Sequence, residues 1–220
     1  YNKGLNLLPA AMLGRFQHGT VLYNAERGRL TPADLAGRRI GVRAYSQTTG
    51  AWIRGIIEND YGVDLRRAQW VTFEDAHVAE YREPAGVIRA RADQDMTKML
   101  IDGKLDAAIY GAELPQDPRL QSVIPDPQAA ARAWYGKHGV VPVNHMVVVT
   151  EELARAKPKA VVELYRMLEA SKKAAGLPAA GQIDTVPFGK AANRPCLELL
   201  ISYCVQQGLI PRRLDVDELW

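Results

Sequence analysis

The segment "RIGVRAYSQTTGAWIRGIIENDYGVDLRRAQWVTF", residues 39–73, constrains the fold more than any other part of the chain. It opens on a short apolar run, Arg39 to Arg43, which reads as a strand. From Thr48 to Tyr61 the apolar side chains Trp52, Ile53, Ile56, Ile57 and Tyr61 return at helical spacing, and Gly62 is placed to stop that helix. "AQWVTF" then reads as a second strand. A strand, a compact crossover helix and a second strand make a βαβ unit, which requires parallel strands joined by a right-handed connection.

The rest of the chain repeats this alternation. Upstream, "TVLY" (20–23) reads as a strand. Thr31, Pro32 and Asp34 carry cap, first-position proline and capping-box acid for a short helix ending near Gly37. Downstream, helix "DMTKMLIDG" leads into strand "LDAAIYG", and Asp126 with Pro127 opens a helix through Tyr135. Strand "HMVVVT" follows, and Thr150, Glu151 and Glu152 start one long helix towards Lys173. The last helix carries Leu197, Leu200, Ile201, Cys204 and Val205 on one side and ends at Gly208. Between the second and third strands of the core unit, 74–95 is polar and aperiodic, and reads as a long loop. The pattern defines an α/β protein, with boundaries near Leu30 and Val143.

Composition narrows the function classes. Of 220 residues, 28 are Lys or Arg against 25 Asp or Glu, a net charge of +3 without long runs of either sign, so neither a nucleic-acid nor an acidic-membrane partner is expected. No apolar stretch approaches the roughly 18 residues that a membrane-spanning helix needs. Cys196 and Cys204 lie eight apart in one helix, about 12 Å along its axis, too far to bridge; they read as core thiols. Because the sequence starts at Tyr1, a signal peptide and the redox compartment both stay open.

The turn "AYSQTTG" lies where open α/β sheets bind ligands, beyond the carboxyl end of a strand and at a helix N-terminus. Ser46, Gln47, Thr48 and Thr49 add polar groups, Arg43 adds charge, and Tyr45 can wall an aromatic ligand. No phosphate-binding glycine motif is present, so a small carboxylate fits better than a nucleotide. The plainer alternative is that one hydroxyl caps the helix. On the same strand edge, Tyr110 and Glu113 follow "LDAAIYG", and Glu74, Asp75 and His77 follow "AQWVTF". Glu74 can act as acid or base; a lone E-D-x-H cluster argues little for a metal, and none is expected. Arg15 and His18 in "GRFQH" can hold a carboxylate and supply a proton, and Asn144 and His145 sit where the chain crosses back between lobes. His138 reads as a solvent-facing turn residue, Asn193 and Arg194 as helix-start residues, and Trp52 and Trp134 as core.

"LTPADLAGRRIGVRAYSQTTGAWIRGIIENDYGV", "MLIDGKLDAAIYG", "HGVVPVNHMVVV" and "GKAANRPCLELLISYCVQQGLIPRRLDVDEL" together resemble the 4,5-dihydroxyphthalate decarboxylase-like family. That resemblance implies a two-lobed type II periplasmic-binding-protein fold. Family members carry a further lobe-one segment before the point where this chain starts. Without it, residues 1–29 with 143–220 make an incomplete lobe one around a continuous lobe two, 30–142. The resemblance also implies a decarboxylase binding 4,5-dihydroxyphthalate or a similar aromatic dicarboxylate in an interlobe cleft, with no cofactor. Proton donors would be His18, His145 or Glu74, and Arg15, Arg43, Tyr45, Ser46, Gln47, Thr48, Thr49, Tyr110, Glu113 and Asn144 would bind ligand. Other proteins of this fold are solute receptors, so the alternative is a binding protein serving an ABC permease. An enzyme would be cytoplasmic and a receptor periplasmic. Arg43 stands where the family's turn carries a proline, and Gln17 where its "RFRH" stretch carries a second arginine.

Overall fold

The computed structural model describes residues 4–220. In chain order the strands are β1 (Leu5–Gly14), β2 (Val21–Asn24), β3 (Arg39–Val42), β4 (Gln69–Thr72), β5 (Ile88–Arg89), β6 (Ala107–Ile109), β7 (Leu120–Ser122) and β8 (Val143–Thr150). The helices are α1 (Thr48–Asp60), α2 (Met96–Ile101), α3 (Pro127–His138), α4 (Glu151–Ala156), α5 (Pro158–Ala174) and α6 (Lys190–Gln206). Among the described residues no helix is long and apolar enough to cross a membrane. The chain divides into two compact units, one of residues 4–16, 139–202 and 212–220, the other of 17–138 and 203–211.

The second unit is built on a six-stranded sheet in the order β5-β4-β3-β6-β2-β7. The βαβ reading holds: β3 pairs in parallel with β4, Ile40 opposite Trp70 and Val42 opposite Thr72, with α1 as the crossover. β6 lies on the other side of β3, also parallel. Asp106 fixes that register, its carboxylate accepting the Arg39 amide at 2.9 Å and a bond from the Arg38 guanidinium at 3.3 Å. β2 runs antiparallel to both β6 and β7, Val21 opposite Ile109. That pairing places 17–29 with this sheet, whereas the sequence grouped them with the other lobe. Two strands of this sheet were not expected: β7, and the two-residue β5, which pairs with β4 inside the long polar loop.

Helix α1 is buried along most of its length, from Thr49 to Ile57. Trp52, Ile53 and Ile56 are fully covered, and Trp52 meets Trp134 and Tyr203 edge-on at 6.4 and 5.8 Å between centroids. Gly55 is required by that packing, because a Cβ there would lie 2.1 Å from the Tyr203 ring. On the sheet, Leu22, Val71, Met96, Met99, Leu100, Leu105 and Ala108 form a second buried cluster.

In the first unit β1 pairs antiparallel with β8. Pro9 conceals β1 in the sequence, since proline breaks the ladder of a regular strand. The structure accommodates it through register shifts between Leu7 and Leu13, and the Pro9 carbonyl accepts the Gly189 amide at 2.8 Å. The expected single helix from 150 to 173 is two, because Pro158 cannot continue α4 and instead takes the first position of α5. Asn193 is fully buried, and its amide donates to the carbonyls of Pro187 and Gly189 at 3.0 and 2.9 Å. Arg194 reaches Asp217. Cys196 and Cys204 are free thiols, both pushed up to about 11 by burial.

Candidate functional site

The parallel strands β3, β4 and β6 end at one edge of the second unit's sheet. Because β2 is antiparallel to β6, the residues entering β2 reach the same edge: the Tyr110 amide donates to the Thr20 carbonyl at 2.8 Å, and the Thr20 hydroxyl to the Gln17 carbonyl at 2.7 Å. The turn 43–47, Glu74, Tyr110, Glu113 and His18 therefore share this edge. The turn is tied to the end of β4, where the Arg43 carbonyl accepts the amides of Phe73 and Glu74 at 2.9 and 2.7 Å.

The turn delivers α1 with an open end. Gln47 occupies the N-cap and makes no side-chain capping bond, and the first turn carries no acidic residue. The expected alternative, a hydroxyl used as the cap, is not what the helix adopts. Ser46 and Thr48 are half-buried, and their hydroxyls make no hydrogen bond to another described residue. Thr49 is buried, and the Gln47 Oε1 is buried without a partner. The first-turn amides of α1 and the neighbouring Ser46 and Thr48 hydroxyls thus lie together at this helix end, an arrangement suited to an anion.

Arg43 and Glu74 bind each other. Nε meets Oε1 and Nη2 meets Oε2, both at 2.7 Å, with each side chain nearly half exposed. The guanidinium holds the Glu74 carboxyl below its ordinary value, so Glu74 is a carboxylate at neutral pH and a poor proton donor. The reciprocal effect raises Arg43, whose charge is largely committed to that pair. Asp75 turns to Arg89 at 3.2 Å. The Tyr110 hydroxyl donates to Thr97 at 3.2 Å, and Glu113 is exposed.

His18 is 1% exposed and meets the Trp134 ring edge-on at 6.0 Å. Burial lowers its pKa from 6.5 to about 4, against the opposing pull of the Asp60 charge, so the imidazole is neutral at pH 7. As pH falls, the unfolded chain binds this proton near 6.5 and the folded one only near 4. Stability is therefore full above about pH 6.5 and declines below it, by roughly 2–3 kcal/mol at pH 4.5. Asp60, held below 3.8, is still charged there. Urea midpoints at pH 7 and 4.5 check this: the drop should shrink in His18→Asn, and an equal drop in both proteins would place the linkage elsewhere.

The remaining candidates belong to the first unit. Arg15 is partly buried, with its pKa lowered by burial, and its amide donates to the Pro142 carbonyl at 3.0 Å. His145 is exposed on β8 opposite Leu13, and Asn144 is half-buried beside it. His138, expected in solvent, instead stacks on Trp134 at 4.6 Å and meets Asp60 at 3.1 Å. The sequence reading missed Arg54, which interrupts the apolar face of α1 and is fully buried. An arginine between Ile53 and Ile56 was the available signal.

The fold is that of type II periplasmic-binding-protein-like proteins. The structure aligns with the periplasmic aliphatic sulphonate binding protein SsuA from Escherichia coli at a TM-score of 0.56 and 12% identity, over 98% of this chain and 72% of that one. It aligns with the desulfurization enzyme DSZB at 0.52 and 17% identity, over 98% and 76%. No family model matches the sequence. Curated relatives do: the sequence is 34% identical over 240 residues to a 4,5-dihydroxyphthalate decarboxylase of Comamonas testosteroni, covering 93% of this chain and 72% of that protein. It is 34% identical over 132 residues to a 4,5-dihydroxyphthalate decarboxylase of Pseudomonas putida, 54% and 51% of the two chains. The chain belongs to the 4,5-dihydroxyphthalate decarboxylase-like family.

Proposed function

We propose that this protein decarboxylates an aromatic dicarboxylate such as 4,5-dihydroxyphthalate, holding the retained carboxylate at the N-terminus of α1. The observation that carries the reading is the uncapped helix end with unbonded Ser46 and Thr48 hydroxyls at the carboxyl edge of parallel strands. Its family supplies the reaction class.

In 4,5-dihydroxyphthalate each carboxyl-bearing carbon lies para to a ring hydroxyl, which can donate electron density as that carbon takes a proton. The bond to the second carboxylate then breaks, carbon dioxide leaves, and its electron pair restores the aromatic ring, giving 3,4-dihydroxybenzoate. The α1 amides and hydroxyls hold the other carboxylate, while the Tyr45 ring is buried against Arg54 and Trp70. His18 is the proposed acid. It is neutral in the free protein, and a dianion bound at the same sheet edge raises its proton affinity, so the proton is recruited with the substrate. Glu74 serves to hold Arg43, and Tyr110 and Glu113 line the rim.

The test is carbon dioxide release from 4,5-dihydroxyphthalate by the full-length protein, paired with calorimetric titration of the same compound. Release at a steady rate supports the reading; tight binding with no release would assign the protein to solute capture. The double change Ser46→Ala and Thr49→Ala should raise KM by roughly 10- to 100-fold with a smaller change in kcat, since those contacts are made in ground and transition states alike. An unchanged KM would remove the turn from the site.

A further inference from the structure

Arg54 is 1% exposed, and its guanidinium lies against the first turn of α1. Nη2 donates to the Tyr45 carbonyl at 2.6 Å, and Nε donates to Gln207 Oε1 at 2.8 Å. The charge sits 4.1 Å from the Tyr45 ring centroid and 5.2 Å from that of Trp70. Nη1 is buried with no partner and points to Gly50, where a Cβ would stand 2.9 Å from it; the glycine is what admits the group. Among the described residues no carboxylate forms an ion pair with Arg54. Glu58, one turn along, is the carboxyl whose charge biases it, and burial pushes that carboxyl up.

A buried cation is ordinarily paired, because stripping its hydration without a counter-ion costs several kcal/mol. Arg54 is also set at the positive end of a helix, where the dipole disfavours a cation. Tyr45, Trp70 and Gln207 offset part of this cost with neutral groups, and the net charge stays. Two positive features are thereby stacked at one end of α1, and an anion at that end relieves both.

We infer that Arg54 is the fixed counter-charge of the α1 site, positioning the turn through the Tyr45 carbonyl and setting the site's preference for a dianionic over a monoanionic aromatic acid. The inference rests on the proposed carboxylate site. Arg54 acts from beneath the turn, so its effect is Coulombic and scales with ligand charge. A purely structural role would weaken all ligands alike.

The experiment is calorimetric titration of the full-length protein with phthalate and with benzoate. Two variants are compared with the parent: Arg54→Met, and Gln207→Glu, which sets a carboxylate against the guanidinium and gives up the bond from Gln207 to the Ala51 carbonyl. At an effective dielectric near 20, each variant should weaken phthalate by roughly 10- to 100-fold and benzoate by about the square root of that factor. If Arg54→Met fails to fold, Gln207→Glu alone decides. Equal losses for both ligands, or none, would overturn the inference. A parent protein that binds neither acid would instead remove the carboxylate site on which it rests.

Discussion

His18→Asn is expected to slow carbon dioxide release from 4,5-dihydroxyphthalate by roughly 10²- to 10⁴-fold while phthalate binding changes by less than about threefold, because general-acid catalysis acts on the reacting carbon and not on the held carboxylate. Within the second unit, His18 is singled out by the chemistry of its neighbours and by position. Glu74 is ionised by its pairing with Arg43 and has no proton to give at neutral pH. His18 precedes β2 at the sheet edge where Tyr110 bonds Thr20, its ring is buried against Trp134, and burial makes it neutral in the free protein. The pH profile should carry the same signature. The kcat/KM profile reports the free protein and should show the low pKa near 4, whereas kcat reports the complex and should stay level to higher pH. His145→Asn is the companion variant. Loss of turnover there, with His18→Asn active, would move the acid to β8.

Trp52→Ala is expected to cost about 3–5 kcal/mol of unfolding free energy, read as a fall in urea midpoint at unchanged slope. The side chain is fully buried, and removing it strips the edge contacts to both Trp134 and Tyr203. The gap cannot be closed by a neighbour sliding inward, since Gly55 already lets the Tyr203 ring approach as near as the helix backbone permits. Trp52→Phe keeps an aromatic edge and should lose less than half as much. A loss under about 1 kcal/mol for Trp52→Ala would mean that α1 is held by its ends and not by this cluster.

The parts of the fold legible in the sequence are those where local pattern and tertiary burial agree. Trp52, Ile53, Ile56 and Ile57 keep helical period because α1 has one continuous buried flank, and "RIGV" and "QWVT" are bounded by turn residues on both sides. Strand β1 was illegible because Pro9 argues against a strand and only the bulged register with β8 rescues it. The 17–29 stretch was grouped with the wrong neighbours because antiparallel pairing of β2 with β6 is a long-range fact with no local trace. At the site, the hydroxyl-rich turn was visible as chemistry. What could not be read was commitment: that Arg43 spends its charge on Glu74, 31 residues away, and that Arg54 brings an unspent one from inside the core.

Asp60, the last residue of α1, gathers three groups from α3: the Trp134 indole N–H at 3.0 Å, the Lys137 ammonium at 2.6 Å and the His138 ring at 3.1 Å. The far end of the helix is therefore clamped while its near end faces the proposed ligand. A strut fixed in this way surrenders little conformational entropy when an anion arrives, so the ordering cost of capture falls on the five residues of the turn, 43–47. Affinity should then respond to the stiffness of that turn more than to the stability of the helix behind it.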